Sequence, residues 1–144
     1  AAASHLAGQA INLTRTTAPH AVSYALTSFF GISHGHAVGV LLPKFLCYNQ
    51  GVTEADCLDP RGVKWVKKTL SDITKLLGFD SAENLTDAII TLFQSIGLET
   101  NLQTLGVDSA EKRNIIIKHG FNPERVNNNP RQLTKAALRS MLGG

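Results

Sequence analysis

The sequence predicts an all-α protein, and three observations support this fold class. Apolar residues recur at three- and four-residue intervals in nearly every segment, which is the spacing of one helix face. Alternating runs of β-branched residues, which are typical of half-buried strands, are scarce. With 144 residues, of which 43% are hydrophobic and 17% charged, the chain is long enough to bury its own core. We therefore expect one helical domain over residues 1–144.

The first third of the sequence predicts three helices separated by short turns. A first helix is expected over Ala2 to Leu13. Pro19 suits the first turn of a second helix, which Gly31 ends. Ser33 is the predicted N-cap of a third and strongly apolar helix, which Pro43 is expected to bend locally. A loop rich in polar and turn residues then follows.

Four further helices are expected beyond this loop. Their boundaries come from cap residues, since serine, threonine and aspartate begin helices and glycine ends them. The predicted segments are an amphipathic helix from Val63 to Gly78, helices over Ser81–Gly97 and Asp108–Gly120, and a last helix capped by Thr134. The stretch from Asn122 to Pro130 is rich in turn residues, and its asparagines are interpreted as turn formers rather than as a binding site.

Composition and charge exclude several classes of function. The apolar run Ala37–Leu42 is far shorter than the roughly 20 residues that cross a bilayer. The basic residues that give the net charge of +3 are scattered, which argues against a nucleic-acid partner. Cys47 and Cys57 lack C-x-x-C spacing and are predicted to be free thiols in the reducing cytoplasm. Because residues 1–5 lack an initiator Met and a signal-peptide pattern, we expect the chain to begin inside a longer protein.

Three histidines, His20, His34 and His36, fall within seventeen residues. Imidazole is a common ligand of first-row divalent metals, although a histidine on a helix face often has only a structural role. Ten helical residues after His20 place the helix end about 15 Å away, so the chain must turn back for His34 to share a metal with His20. His36, two helical positions after His34, is expected to face elsewhere.

The residues around these histidines resemble the signature region of iron-containing alcohol dehydrogenases. In that family two histidines fourteen residues apart bind the metal, and the second belongs to a His-Gly pair that opens a helix leading to Leu-Leu-Pro. The matching segments are Pro19–Leu26, Gly31–Ala37, Leu41–Pro43, Ile96–Leu98, Leu102–Val107, Asn128–Arg131 and Leu133–Thr134. The likeness covers essentially the whole chain.

The resemblance implies the helical C-terminal domain of the fold shared by iron-containing alcohol dehydrogenases and dehydroquinate synthase, without the N-terminal nucleotide-binding domain. It implies His20 and His34 as metal ligands, with Fe²⁺ favoured and Zn²⁺ as the alternative, and NAD or NADP bound through the missing domain. The family's other two ligands, an Asp and a His, precede this pair, and no Asp precedes His20 here. We expect an incomplete metal site, an inactive isolated chain, and a homo-oligomeric full-length enzyme acting on a small alcohol or aldehyde.

Three further residues are candidates for roles near the metal. Many family members carry a His one turn after the first ligand that is thought to help proton transfer; here that position is Tyr24, which could be a catalytic proton donor or could only shape the pocket. The combination of Ser23-Tyr24 with His34-Gly35-His36 looks more like the branch acting on phosphonoacetaldehyde and related small aldehydes than like the fermentative ethanol or propanediol enzymes. For such an anionic substrate, Arg125 and His36 are the candidate binding residues, and a solvated loop arginine is the alternative for Arg125.

Two other interpretations remain open at this point. One is a zinc-using relative similar to glycerol dehydrogenase, which shares the architecture. The other, from a different class, is a non-catalytic helical interaction module whose histidines are structural. Metal content and its dependence on His20 would separate an enzyme from such a module.

Overall fold

The computed structural model describes residues 1–143, and this part of the chain contains eight α-helices. The helices are α1 (Ala2–Leu13), α2 (Ala18–Phe30), α3 (His34–Gln50), α4 (Val63–Leu76), α5 (Ala82–Ser95), α6 (Ala110–Gly120), α7 (Pro123–Val126) and α8 (Lys135–Met141). Over the same residues there is no β-strand, and a single isolated bridge pairs Cys57 with Arg131. The all-α prediction is confirmed.

Hydroxyl side chains cap the N-termini of three helices. As predicted, the Oγ atom of Ser81 and the Oγ1 atom of Thr134 each accept a hydrogen bond from the backbone N–H three residues on, at 3.1 and 3.0 Å. The prediction that Asp108 begins α6 is wrong by one residue, because Ser109 is the N-cap and accepts from the backbone N–H of Lys112. Asp108 instead forms an ion pair with the Lys112 side chain at 3.0 Å.

A tight turn of three residues joins α2 to α3. Gly31 ends α2 with a φ of 68°, a left-handed conformation that costs glycine little and other residues more. Ile32 is buried and fixes the turn to the core. Ser33 occupies the N-cap of α3 as predicted, but its hydroxyl makes no capping hydrogen bond. The helix α3 continues through Pro43 to its end.

The central helix is α2, which packs most extensively against α3 and α6. Small residues let these helices approach closely: a Cβ atom added at Gly120 of α6 would lie 3.1 Å from the Cα atom of Val22 in α2. On the other side of α3, a Cβ atom at Gly39 would lie 2.4 Å from the ring of Phe93 in α5. The fully buried large side chains include Phe45, Leu26, Leu41, Ile116 and Leu138. These contacts hold both ends of the α2–α3 turn against one core.

Two loops that are distant in the sequence are joined by ion-pair and amide hydrogen bonds, and we call this network the loop latch. The carboxylate of Asp56 accepts a hydrogen bond from Nε of Arg131 at 2.7 Å. The Arg131 guanidinium also donates to the Tyr48 carbonyl oxygen and stacks 4.3 Å above the Tyr48 ring. Beside this pair, the buried amides of Asn49 and Asn129 donate to each other, at 3.3 and 2.7 Å. The loop latch therefore ties the end of α3 to the loop before α8.

The short helix α7 lies in the stretch that the sequence predicted as turns. Asn122 caps it by accepting a hydrogen bond from the backbone N–H of Glu124 at 3.0 Å. Val126, which is almost fully buried, anchors it to the core. Because α7 contacts α2, this anchor places the exposed Arg125 beside α2.

The first helix, α1, lies on the surface, and none of its residues is buried. Its apolar side chains Leu6, Ile11 and Leu13 are exposed. No helix in the part of the chain described here is both long enough and apolar enough to cross a membrane.

Candidate metal centre

The rings of His20 and His34 converge where α2 and α3 meet. Their centroids are 5.3 Å apart, with an angle of 65° between the ring planes. His20 lies in the first turn of α2 and His34 is the first residue of α3. Two nitrogens bound to one tetrahedral ion at about 2.1 Å stand roughly 3.4 Å apart, a separation that rings at this distance can reach. The sequence spacing of fourteen residues thus corresponds to a real pair of imidazoles in space.

The convergence depends on the turn at Gly31. From Ser23 to the end of α2, the helix rises by about 10 Å, and the residues from there to His34 span up to about 13 Å when extended. The residues after α2 are therefore long enough to bring His34 back to the level of Ser23. The return brings the His34 ring alongside Ser23 and Tyr24 of α2.

Two neighbours on α2 hold the His34 ring. The Oγ atom of Ser23 lies 3.3 Å from Nδ1 of His34. The Tyr24 ring stacks on His34, with a centroid distance of 5.3 Å and an interplanar angle of 28°. The stack sets the plane of the imidazole and the serine contact sets its rotation within that plane. His34 is exposed, and its Nε2 atom has no hydrogen-bond partner within the residues described.

The environment of His20 favours its neutral form. Burial lowers the pKa of His20, and the nearby charge of His34 lowers it further. A metal binds the neutral imidazole through a free lone pair, so protons compete less for His20 than for a free imidazole. Weaker competition from protons is one condition that a metal-binding imidazole has to meet.

Within residues 1–143, no group of three or more His, Cys, Asp or Glu side chains lies close enough together to hold a metal. The pair thus offers two candidate ligands, whereas a catalytic zinc site normally has three protein ligands plus an exchangeable position. Two imidazoles of suitable spacing fit part of the coordination sphere of Fe²⁺ or Zn²⁺. The described residues therefore bring together two of the groups that a metal centre of this kind would need.

Tyr24 and Arg125 form the next layer of the site. The Tyr24 ring is 47% exposed, and the guanidinium carbon of Arg125 lies 4.6 Å above its centre. In the described residues, no carboxylate forms a salt bridge with Arg125. The cation is therefore free to pair with an anion from outside, no more than roughly 10 Å from the His34 ring.

His36 lies outside this cluster. Its Nε2 atom donates a hydrogen bond to the backbone carbonyl oxygen of Glu99 at 2.6 Å. This bond ties the first turn of α3 to the segment after α5, away from α2. The structure thus brings together His20, His34, Tyr24 and Arg125, but it does not bring His36 to them. The orientation agrees with the rotation of about 200° between two helical residues that are two positions apart, such as His34 and His36.

Ser23 is a site residue that sequence reasoning did not identify. It entered only as part of the likeness to one branch of a family, although its position three residues after His20 puts both on one helix face. A groove of about 830 Å³ is lined by residues from the α1–α2 linker, the α3–α4 loop, α4 and the loop 127–130. Neither histidine of the pair lines that groove.

Known proteins resemble this chain over nearly all of its length. Residues 1–143 match the model of the Fe-containing alcohol dehydrogenase family, C-terminal. A phosphonoacetaldehyde reductase from Streptomyces viridochromogenes is 37% identical over 98% of this chain and 34% of its own length. Alcohol dehydrogenase 4 from Saccharomyces cerevisiae is 30% identical over 97% of this chain and 34% of its own length.

A solved structure has the same helical arrangement. The sulfoacetaldehyde reductase from Bifidobacterium kashiwanohense, in complex with NAD⁺, superposes with a TM-score of 0.65 and 28% sequence identity. The match covers 88% of this chain and 30% of that one. Each match thus covers most of this chain but only about a third of the relative's length.

Proposed function

The chain belongs to the Fe-containing alcohol dehydrogenase family, and on that basis we propose that it is the metal-binding helical part of an NAD(P)-dependent alcohol dehydrogenase or aldehyde reductase. The observation that carries the proposal is the convergence of the His20 and His34 rings at 5.3 Å. In the proposed enzyme, the remaining metal ligands and the nicotinamide site belong to the rest of the longer protein. The 144-residue chain alone is then inactive.

The chain's own residues have distinct tasks in this proposal. When bound, the metal supplies Lewis-acid chemistry toward the substrate oxygen, and the nicotinamide accepts or donates the hydride. His20 and His34 hold two positions around the metal. Tyr24 is half exposed and its ring stacks against His34, which supports a role for its hydroxyl in holding or moving a proton at the substrate oxygen. Packing of α2 against α3 holds the two imidazoles side by side.

The preferred substrate in this proposal is a short aldehyde or alcohol that carries an anionic group. Arg125 supports this choice, because its guanidinium is exposed, free of carboxylates in the described chain and held over Tyr24. A forked guanidinium suits the oxygens of a phosphonate or sulfonate. The names of two relatives, a phosphonoacetaldehyde reductase and a sulfoacetaldehyde reductase, point to the same chemical class.

Metal analysis tests the ligand assignment. The full-length protein, purified under conditions that retain metal, should contain one equivalent of a divalent ion, and both His20→Ala and His34→Ala should lose it. His5→Ala, which removes an exposed histidine of α1, is the matched control and should keep the metal. Retention of stoichiometric metal by His20→Ala would contradict the proposal.

Substrate kinetics test the role of Arg125. In the full-length enzyme, Arg125→Ala should lower kcat/KM for phosphonoacetaldehyde by about 10- to 100-fold, the value of one or two charge-assisted hydrogen bonds. The kcat/KM for an uncharged aldehyde such as propanal should change little. Arg139→Ala, at an exposed arginine of α8, serves as control for the loss of one positive charge. Equal losses for both aldehydes would argue against an anion-binding role.

A further inference from the structure

The Ser23 hydroxyl lies between two groups that compete for its single proton. Ser23 is fully buried in α2. Its Oγ atom lies 2.8 Å from the backbone carbonyl oxygen of His20, one turn earlier, and 3.3 Å from Nδ1 of His34. A serine hydroxyl has one hydrogen to donate and two lone pairs with which to accept.

The two distances decide where that proton goes. A carbonyl oxygen can only accept, and 2.8 Å is an ordinary O–H···O distance, so the hydroxyl donates to the backbone carbonyl oxygen of His20. The lone pairs of Oγ then remain for the longer contact, in which the imidazole must donate from Nδ1. In a neutral imidazole with hydrogen on Nδ1, the Nε2 atom carries the free lone pair.

We propose that Ser23 is a positioning residue that fixes His34 in the tautomer protonated on Nδ1 and so leaves Nε2 available as the metal ligand. Tyr24 sets the ring plane by stacking, and Ser23 selects which nitrogen of that plane is free. This inference rests on the proposed role of His34 as a ligand. It is the tautomer-fixing task that carboxylates and backbone carbonyls perform for other metal-binding histidines.

NMR spectroscopy of the metal-free 144-residue protein reads the tautomer directly. Protonated and unprotonated ring nitrogens differ in ¹⁵N chemical shift, and long-range ¹H–¹⁵N correlation assigns them to Nδ1 and Nε2. At about pH 8, where imidazoles are largely neutral, His34 should be protonated on Nδ1 in the wild type. Ser23→Ala should lose this preference, while Ser28→Ala, at an exposed serine of the same helix, should keep it.

Metal affinity provides the second measurement, made on the full-length protein with Zn²⁺ as the probe. Loss of a residue that orients a ligand typically weakens metal binding by about 10- to 100-fold, and we expect this for Ser23→Ala but not for Ser28→Ala. Circular dichroism checks that both variants retain the helical content of the wild type.

The outcomes separate this inference from the proposed function. A wild-type His34 protonated on Nε2, or a correctly folded Ser23→Ala variant with unchanged tautomer and Zn²⁺ affinity, overturns the role of Ser23. If wild-type His34 is protonated on Nδ1 and the preference is lost in Ser23→Ala, the tautomer assignment stands. If, in addition, His20→Ala binds Zn²⁺ as tightly as the wild type, it is the two-histidine metal centre that fails, and not the Ser23–His34 bond.

Discussion

Replacing Asp56 by Asn should weaken the loop latch and leave the His20–His34 pair in place. The Asp56 carboxylate accepts hydrogen bonds from the backbone N–H and hydroxyl of Thr53, at 2.7 and 2.9 Å, and from Arg131 at 2.7 Å. These bonds, first that from the Thr53 backbone and then that from Arg131, lower the pKa of Asp56 from 3.8 to about 2. An Asn side chain can still accept from Thr53, but its amide N–H groups cannot pair with the Arg131 donor.

The pKa shift sets a ceiling on the stability that this carboxylate contributes. A decrease from 3.8 to about 2 corresponds to at most about 2.4 kcal/mol when Asp56 is ionised in both states. The Asp56 side chain is 25% exposed, so solvent screening reduces this value. We therefore expect Asp56→Asn to lower the free energy of unfolding by about 1–2 kcal/mol at neutral pH.

The pH dependence of unfolding distinguishes this cause from a general packing defect. Because the folded-state pKa of Asp56 lies below its unfolded value of 3.8, its contribution is complete above that pH and is lost as pH falls through about 2. Urea unfolding followed by circular dichroism should give a difference between wild type and Asp56→Asn at neutral pH that shrinks toward zero near pH 2. The control is Asp72→Asn, which breaks the exposed Lys68–Asp72 pair and should cost no more than about 0.5 kcal/mol. Equal stability of the wild type and Asp56→Asn at neutral pH, or a difference that is the same at both pH values, would refute the reasoning.

Two further substitutions test the turn and cap geometry. Gly31→Ala should lower the free energy of unfolding by about 1–2 kcal/mol, because an alanine is strained at a φ of 68°. The same substitution should weaken metal binding in the proposed enzyme by displacing His34. The control is Gly35→Ala, which has open space around its Cβ position and no positive φ and should leave urea unfolding unchanged. Thr134→Ala should cost about 1 kcal/mol, since the Thr134 hydroxyl caps α8, whereas Ser33→Ala should have little effect on the unfolding midpoint because the Ser33 hydroxyl makes no capping bond.

The helices could largely be predicted from the sequence because their signals are local. The caps at Ser81 and Thr134 and the end of α2 at Gly31 each depend on a few neighbouring residues. The predicted start of α6 was one residue too early, because Asp108 and Ser109 are both good N-caps and only the backbone conformation decides between them. The helix α7 was missed because four residues carry no periodicity, and its stability comes from burial of Val126 in the core.

Only the part of the site that depends on the sequence spacing of His20 and His34 could be predicted. The positions of His20 and His34 indicated a possible pair, but their convergence required the height of α2 and the reversal at Gly31 to match. The role of Ser23 depends on a side chain eleven residues away, and that of Asn129 on one eighty residues away. Such partners are set by packing, which a single sequence does not display.

The site is assembled from parts with very different sequence separation, and this has a consequence for how it forms and fails. The two imidazoles and Ser23 belong to one helical hairpin, whose contacts close a loop of only about a dozen residues. Arg125 reaches the same place only after the far end of the chain has docked, about a hundred residues later. Arg125 is followed closely in the chain by Asn129 and Arg131 of the loop latch. In the proposed enzyme, disruption of the loop latch should therefore lower the preference for anionic aldehydes before it lowers the affinity for the metal.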